Sequence, residues 1–226
     1  MSINIAIDGP AGAGKSTVAK LLAKKLGYVY VDTGAMYRAM GIYFSEKGID
    51  PKDEEAVGKA ASEAEVSLRF ASGQQRVYLN GDDVTDQIRT EAAGNMASAT
   101  SVYPKVREKL TAMQKELAAK ENVVMDGRDI GTVVLPQADL KVFLTASSMV
   151  RGKRRFDELV AKGEDADLPT IIRDIEKRDE LDKNRETAPL KKAEDAYFLD
   201  SSSLTIDAVL EKILEQCREK GILQSL

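Results

Sequence analysis

Gly9, Pro10, Ala11, Gly12, Ala13, Gly14, Lys15 and Ser16 match the pattern G-x-x-x-x-G-K-[ST] at every fixed position. Glycines in such a loop let backbone N–H groups turn inward around a phosphate. The helix that follows adds partial positive charge at its start. Lys15 then reaches the β- and γ-phosphates, and the Ser16 hydroxyl is a ligand for Mg²⁺. By average composition a chance match occurs on the order of once per hundred chains of this length. The apolar run before the loop and the helical pattern after it supply the context that the motif requires.

A second candidate set is Asp126-Gly127-Arg128-Asp129, where a short apolar run closes on Asp. Asp126 then stands where a carboxylate holds Mg²⁺ directly or through water. Arg128 is a phosphate candidate, and Asp129 an acceptor for an exocyclic amine. The alternative is a tight turn that uses Asp and Gly for backbone reasons. A third segment, Asp32-Thr33-Gly34-Ala35-Met36-Tyr37-Arg38, puts Thr33 where a strand meets a helix and Arg38 one turn further on. Thr33 reads as a site hydroxyl or as a helix N-cap, and Arg38 as an anion ligand or a solvated side chain. Arg178, Asp182 and Arg185 stand at i, i+4 and i+7, on one face if a helix extends that far. They read as ligands or as a surface salt-bridge ladder. Arg151, Lys153, Arg154 and Arg155 form a cationic cluster, either a lid over a triphosphate or a solvated face.

These side chains need elements to hold them. Apolar runs at 3–7, 28–31, 123–125, 140–144 and 197–199 have the near-continuous hydrophobicity of buried parallel strands. Helical patterns at 15–26, 35–47, 104–120, 149–162, 169–181 and 205–220 lie between most of them. The alternation predicts an α/β fold, a doubly wound parallel sheet of five strands flanked by helices. Between residues 64 and 95 the pattern changes to strand-like pieces at 66–70 and 76–79, with Gly73 and the turn Asn80-Gly81-Asp82 around them. This predicts a small β-containing insert at 64–95 on a core of 1–63 and 96–226; a long connection with a hairpin is the alternative.

Composition narrows the chemistry. Lys plus Arg is 33 and Asp plus Glu is 37, a net charge of −4, which argues against a general nucleic-acid binder. With no histidine and one cysteine, Cys217, a Ser-His-Asp triad, a histidine or Cys-rich metal site and an internal disulfide are excluded. No apolar run approaches the roughly 20 residues that span a membrane. The N-terminus carries no signal-peptide pattern, so a reduced, cytoplasmic setting is expected. The absence of any Asn-Lys pair removes the guanine-reading signature of a GTPase. Among P-loop proteins a large motor or ATPase needs more chain than this, which leaves a small kinase; a kinase of another small acceptor and a non-catalytic nucleotide switch are the alternatives.

Together, GPAGAGKS, VDTGAMYR, DGRDIGTVV (126–134) and RDELDKNR followed by Ala188-Pro189-Leu190 resemble the bacterial cytidylate kinase family, over essentially the whole chain. The resemblance implies transfer of the ATP γ-phosphoryl group to CMP or dCMP; a monomer is expected. It implies ATP held by residues Gly9 through Ser16 and Thr17, with Lys15, Arg128 and Arg154 as the catalytic charges and Ser16 and Asp126 at Mg²⁺. It implies an acceptor-side insert at 64–95 and a short helical lid at about 148–168. Thr33, Arg107, Asp129 and Arg185 match positions around cytosine; Arg38 and Arg128 match phosphate ligands; Ser98, Arg178 and Asp182 match the pentose side. Two departures stand out. Thr33 replaces a frequent Ser, and Ser148-Met149-Val150-Arg151-Gly152 carries apolar residues and a glycine where relatives often have acidic or helix-favouring ones. The role of Asp8, just before the loop, is open between structure and phosphate contact.

Overall fold

The computed structural model describes residues 2–71 and 74–223. In chain order the elements are β1 (Asn4–Asp8), α1 (Lys15–Leu26), β2 (Val29–Asp32), α2 (Thr33–Glu46), α3 (Glu54–Glu63), β3 (Val66–Ala71), β4 (Gln74–Leu79) and β5 (Asp82–Asp83). There follow α4 (Glu91–Thr100), α5 (Pro104–Lys120), β6 (Val123–Gly127), β7 (Leu140–Thr145), α6 (Ser148–Ala161), α7 (Leu168–Asn184), β8 (Tyr197–Asp200) and α8 (Ile206–Glu219). A five-stranded parallel sheet has the order β2-β6-β1-β7-β8, and a three-stranded antiparallel sheet the order β3-β4-β5. The expected strands and helices are present, with ends shifted by at most three residues.

The chain forms two compact units, 3–27 with 124–226, and 1–2 with 28–123. In the first, Ile5, Ala6 and Ile7 of β1 are fully buried, as a strand covered on both faces must be. β1 pairs with β7 in the register Ile5↔Leu140 to Asp8↔Phe143, which brings the end of β1 beside the end of β7. Helix α1 buries Val18, Ala19, Leu22 and Ala23 on one face, and it stops where Gly27 adopts a left-handed conformation. After β6, residues Ile130–Val134 make one turn of π-helix.

In the second unit, Met36, Met40 and Phe44 of α2 pack with Val57 of α3, Val66, Val77 and Leu79 of the small sheet and Leu110 of α5. The Asn80-Gly81 turn is as predicted: both residues have positive φ, 51° and 93°, the geometry of a two-residue hairpin loop. Gly73, singled out in the sequence, lies outside the described residues. Helices α3 and α4 were not expected. Both are rich in Ala, Gly and Ser, so their apolar periodicity is weak, and what they bury is small: Val57, Gly58, Ala60 and Ala61 in one, Ala93, Ala97 and Thr100 in the other.

Candidate active site

The Gly9–Ser16 loop joins β1 to α1 within the first unit. A Cβ on Gly9 would lie 1.9 Å from the Leu144 carbonyl oxygen, so only glycine lets the loop leave the sheet there. Lys15 is 6% exposed and donates from Nζ to the Pro10 carbonyl at 2.8 Å, folding back over its own loop. Burial pushes its pKa down to about 7; the charge of Arg128 adds to this, while Asp126, Asp8 and Asp182 oppose it. Ser16 donates from Oγ to Asp126 Oδ2 at 2.8 Å. The hydroxyl and the carboxylate from the end of β6 therefore present two hard oxygens side by side. Among the described residues no cluster of three or more His, Cys, Asp or Glu could hold a metal. A cation here would take Ser16 and Asp126 together with phosphate and water oxygens.

The strand-end tetrad and the late helix meet. Arg128 Nε donates to Asp182 Oδ2 at 2.8 Å, and Arg185 Nη2 reaches Asp129 Oδ1 at 3.4 Å. Asp182 is not part of a surface ladder: it is 9% exposed, and its partner lies 54 residues away in sequence. Burial alone would raise its pKa; the charge and hydrogen bond of Arg128, then Arg185 and Arg178, outweigh that and hold it below the usual carboxylate value. Helix α7 ends at Asn184 with Arg185 as its C-cap, so the helix does carry the Arg178–Asp182–Arg185 face to its end. Arg185 Nε also donates to the Ala188 carbonyl, and Leu190 N–H to the Asp182 carbonyl, which folds the Ala188-Pro189-Leu190 segment back onto the helix.

The basic cluster of α6 divides. Arg151 is 4% exposed and makes a two-pronged ion pair with Asp179 at 3.1 and 2.6 Å. It also donates to the carbonyls of Ala146 and Ala11, and so braces the phosphate loop against α6. Lys153 and Arg155 pair with Asp157 and Glu158 on the surface. Arg154 also turns to the loop: it donates to Ser201 O at 3.0 Å, and its Nη1 lies 3.9 Å from where a Cβ on Gly14 would be. Gly152 has a packing reason as well, since a Cβ there would stand 2.5 Å from Ile172 Cγ1, where α6 approaches α7. Ser201 Oγ in turn donates to the Ala13 carbonyl at 3.3 Å; neither it nor Arg151 was legible as a hydrogen-bond partner of the loop backbone, because nothing in their local sequence separates them from other helix and turn residues. Asp8 is buried, with both oxygens accepting backbone N–H groups from Ile130 and Gly131 at 2.7 Å, and burial raises its pKa to about 6.

In the other unit, Thr33 is 4% exposed at the start of α2. The N-cap is Asp32, whose side chain accepts from Ala35 N at 3.0 Å, so the cap reading of Thr33 does not hold. Arg38 folds toward the same helix start, its Nη1 3.7 Å from where a Cβ on Gly34 would be. Arg107 on α5 is 5% exposed, donates to the Ser101 carbonyl at 3.1 Å, and sits 5.6 Å from the centre of the Tyr37 ring. Ser98 lies near the end of α4, its carbonyl accepting from Ser101 Oγ. Tyr37 and Gln75 are neighbours of these residues that the sequence did not single out. Gln75 accepts from Asp32 N–H at 2.9 Å and ties β4 to the end of β2.

Among the described residues no helix is long and apolar enough to cross a membrane. The family model described as cytidylate kinase matches residues 5–219. A cytidylate kinase of Caldicellulosiruptor bescii is 52% identical over 213 residues, covering 94% of each chain. One of Bacillus licheniformis is 52% identical over 218 residues, 96% of each chain, and one of Bacillus subtilis 48% identical over 219, covering 97% of this chain and 98% of that one. Among solved structures, a gluconokinase of Sinorhizobium meliloti aligns over 99% of this chain and 98% of its own with a TM-score of 0.50 at 15% identity. An uncharacterized protein of Eubacterium ventriosum aligns over 95% of this chain and 98% of its own, with a TM-score of 0.53 at 13% identity. Both likenesses are of fold.

Proposed function

This chain belongs to the cytidylate kinase family, and from that premise we infer how its own residues transfer the γ-phosphoryl group of ATP to CMP or dCMP. The observation that carries the reading is the double pairing of Arg128 with Asp182 and Arg185 with Asp129, which joins the late helix to the strand end beside the Ser16–Asp126 contact. Phosphoryl transfer needs positioning and charge more than proton transfer, so a chain without histidine is equipped for it.

The backbone of Gly9–Ser16 cradles the donor phosphates, with Thr17 at the first turn of α1. Lys15, protonated in the presence of the phosphates, leaves the Pro10 carbonyl and follows the transferring group. Arg154 approaches from the α6 side, within the 148–168 segment that we read as the lid. Ser16 and Asp126 would hold Mg²⁺, which would supply positive charge to offset that of the phosphates. On the acceptor side, Arg38 and Arg128 hold the monophosphate. Arg128 is already oriented by Asp182, so less side-chain freedom is lost on binding. Asp129 accepts from the cytosine N4 amine, and Arg185 and Arg107 donate to the ring acceptors, with Thr33 beside the base. Arg178, Asp182 and Ser98 take the sugar. Residues 64–95 serve the acceptor side of the core formed by 1–63 and 96–226. The chain supplies every role named here, consistent with action as a monomer, and its single cysteine suits a reduced cytoplasm.

The test is an ATP-coupled assay against CMP, dCMP, UMP, AMP and GMP. CMP and dCMP are expected to have the highest kcat/KM. Preference for a purine acceptor would overturn the base assignments, and loss of turnover without Mg²⁺ is the expected control.

A further inference from the structure

Asp8 ends β1 and precedes the first glycine of the phosphate loop. It is 5% exposed, and each oxygen accepts one backbone N–H at 2.7 Å, Oδ1 from Ile130 and Oδ2 from Gly131. Those residues open the π turn, whose later N–H groups at Val133 and Val134 return to the Asp129 carbonyl at 2.9 and 3.2 Å. The turn closes on itself at one end and on Asp8 at the other. Gly131 leaves room for this, since a Cβ there would stand 3.2 Å from Asp8 Oδ2 and 3.2 Å from Lys141 Cδ. Asp129 immediately precedes the pinned pair, and Arg128 precedes Asp129.

We propose that Asp8 is a positioning residue for the acceptor: its two-pronged carboxylate fixes the backbone of Ile130 and Gly131 and thereby sets where Arg128 and Asp129 stand. This rests on the reading of those two residues as acceptor ligands. Hydrogen bonds to an ionised carboxylate are about twice as strong as neutral ones. Two of them from consecutive N–H groups fix the orientation of the peptide planes as well as their distance. A reacting group misplaced by about 1 Å costs on the order of a hundredfold in rate. The carboxylate holds its charge in a buried place: burial raises its pKa to about 6, Asp129 on the turn pushes the same way, and the two N–H groups and Lys15 on the loop pull back.

Asp8→Asn keeps the shape and one acceptor but sets an NH₂ group against the second N–H. In this variant we expect the CMP KM to rise at least about tenfold and the CMP-to-UMP ratio of kcat/KM to fall at least about fivefold, while the ATP KM stays within about threefold. In the wild type, the Ile130 and Gly131 amide resonances should titrate with a midpoint near pH 6, and in Asp8→Asn they should not. Below that pH the wild-type CMP-to-UMP ratio should fall more steeply than that of Asp8→Asn, in which the titrations of the acceptors themselves remain. A variant with wild-type acceptor kinetics and only a lowered melting temperature would overturn the proposal. So would a larger effect on ATP than on CMP. Asp129→Ala run alongside separates the two ideas. If it loses discrimination while Asp8→Asn keeps it, the positioning role alone fails. If Asp129→Ala keeps discrimination, the base reading fails, and Asp8 is judged by the CMP KM.

Discussion

Removing the Asp182 carboxylate separates a ligand-holding pair from a surface ladder. An exposed i, i+4 ion pair contributes about 0.3–0.5 kcal/mol. Breaking a buried pair by removing one partner costs about 3–5 kcal/mol, because the remaining charge stays desolvated. In Arg128–Asp182 the side chains are 20% and 12% exposed, so water screens part of the interaction and about 2–3 kcal/mol is expected for Asp182→Ala. At this chain length that lowers Tm by about 4–12 °C. The sign with pH follows from the lowered pKa of Asp182, which places its contribution above the unfolded-state pKa. The difference between wild type and variant should be full at pH 7 and shrink as pH falls through about 4 and below. A cycle of Arg128→Ala, Asp182→Ala and the double variant should show a coupling of about 1–3 kcal/mol in denaturant unfolding. In steady-state kinetics, Asp182→Ala should raise the CMP KM or lower kcat at least about tenfold, roughly 1.4 kcal/mol, with a much smaller change in the ATP KM. Additive stabilities in the cycle together with wild-type acceptor kinetics would refute the reasoning and remove Asp182 from the acceptor site.

Lys15, with a pKa of about 7 in the unliganded protein, is mostly neutral at pH 8. ATP binding at that pH should therefore take up close to one proton, seen as a buffer-dependent enthalpy in calorimetry; Lys15→Ala should show none and should lose at least about a thousandfold in kcat with an unchanged circular-dichroism spectrum. Asp129→Ala should lower the CMP-to-UMP ratio of kcat/KM at least about tenfold, since uracil presents a carbonyl where cytosine presents an amine; an unchanged ratio would remove Asp129 from base reading. Gly152→Ala should destabilise by about 1–3 kcal/mol in chemical unfolding despite the better helix propensity of alanine, because its Cβ would meet Ile172 at 2.5 Å. Ile172→Ala in the same chain should recover part of that loss, and a stabilised Gly152→Ala variant would contradict the packing described.

Whatever depends on neighbours along the chain could be read from the amino-acid sequence. The phosphate loop is of this kind: its glycines, lysine and serine act through backbone angles and a helix start only a few residues long. The Asn80-Gly81 turn is another, since both residues readily take the positive φ that the hairpin needs. So are the buried strands, whose continuous apolar runs specify burial whatever packs on them. Helices α3 and α4 were not legible, because alanine, glycine and serine carry little periodic signal until another helix lies close enough to exclude water from them. The partners of charged side chains were decided only by the tertiary structure. Spacing drew Arg178, Asp182 and Arg185 onto one helix face, but it could not tell a ladder from a hand reaching Arg128 and Asp129, 54 and 56 residues away. The same limit hid the division of the α6 cluster, in which Arg151 braces the loop and Arg154 faces it. It also hid Asp8, whose two N–H donors lie 122 and 123 residues along the chain. An ionised side chain has the same local signature in water as in a buried pair, and its energy depends on which charges and dipoles the fold brings within a few ångströms.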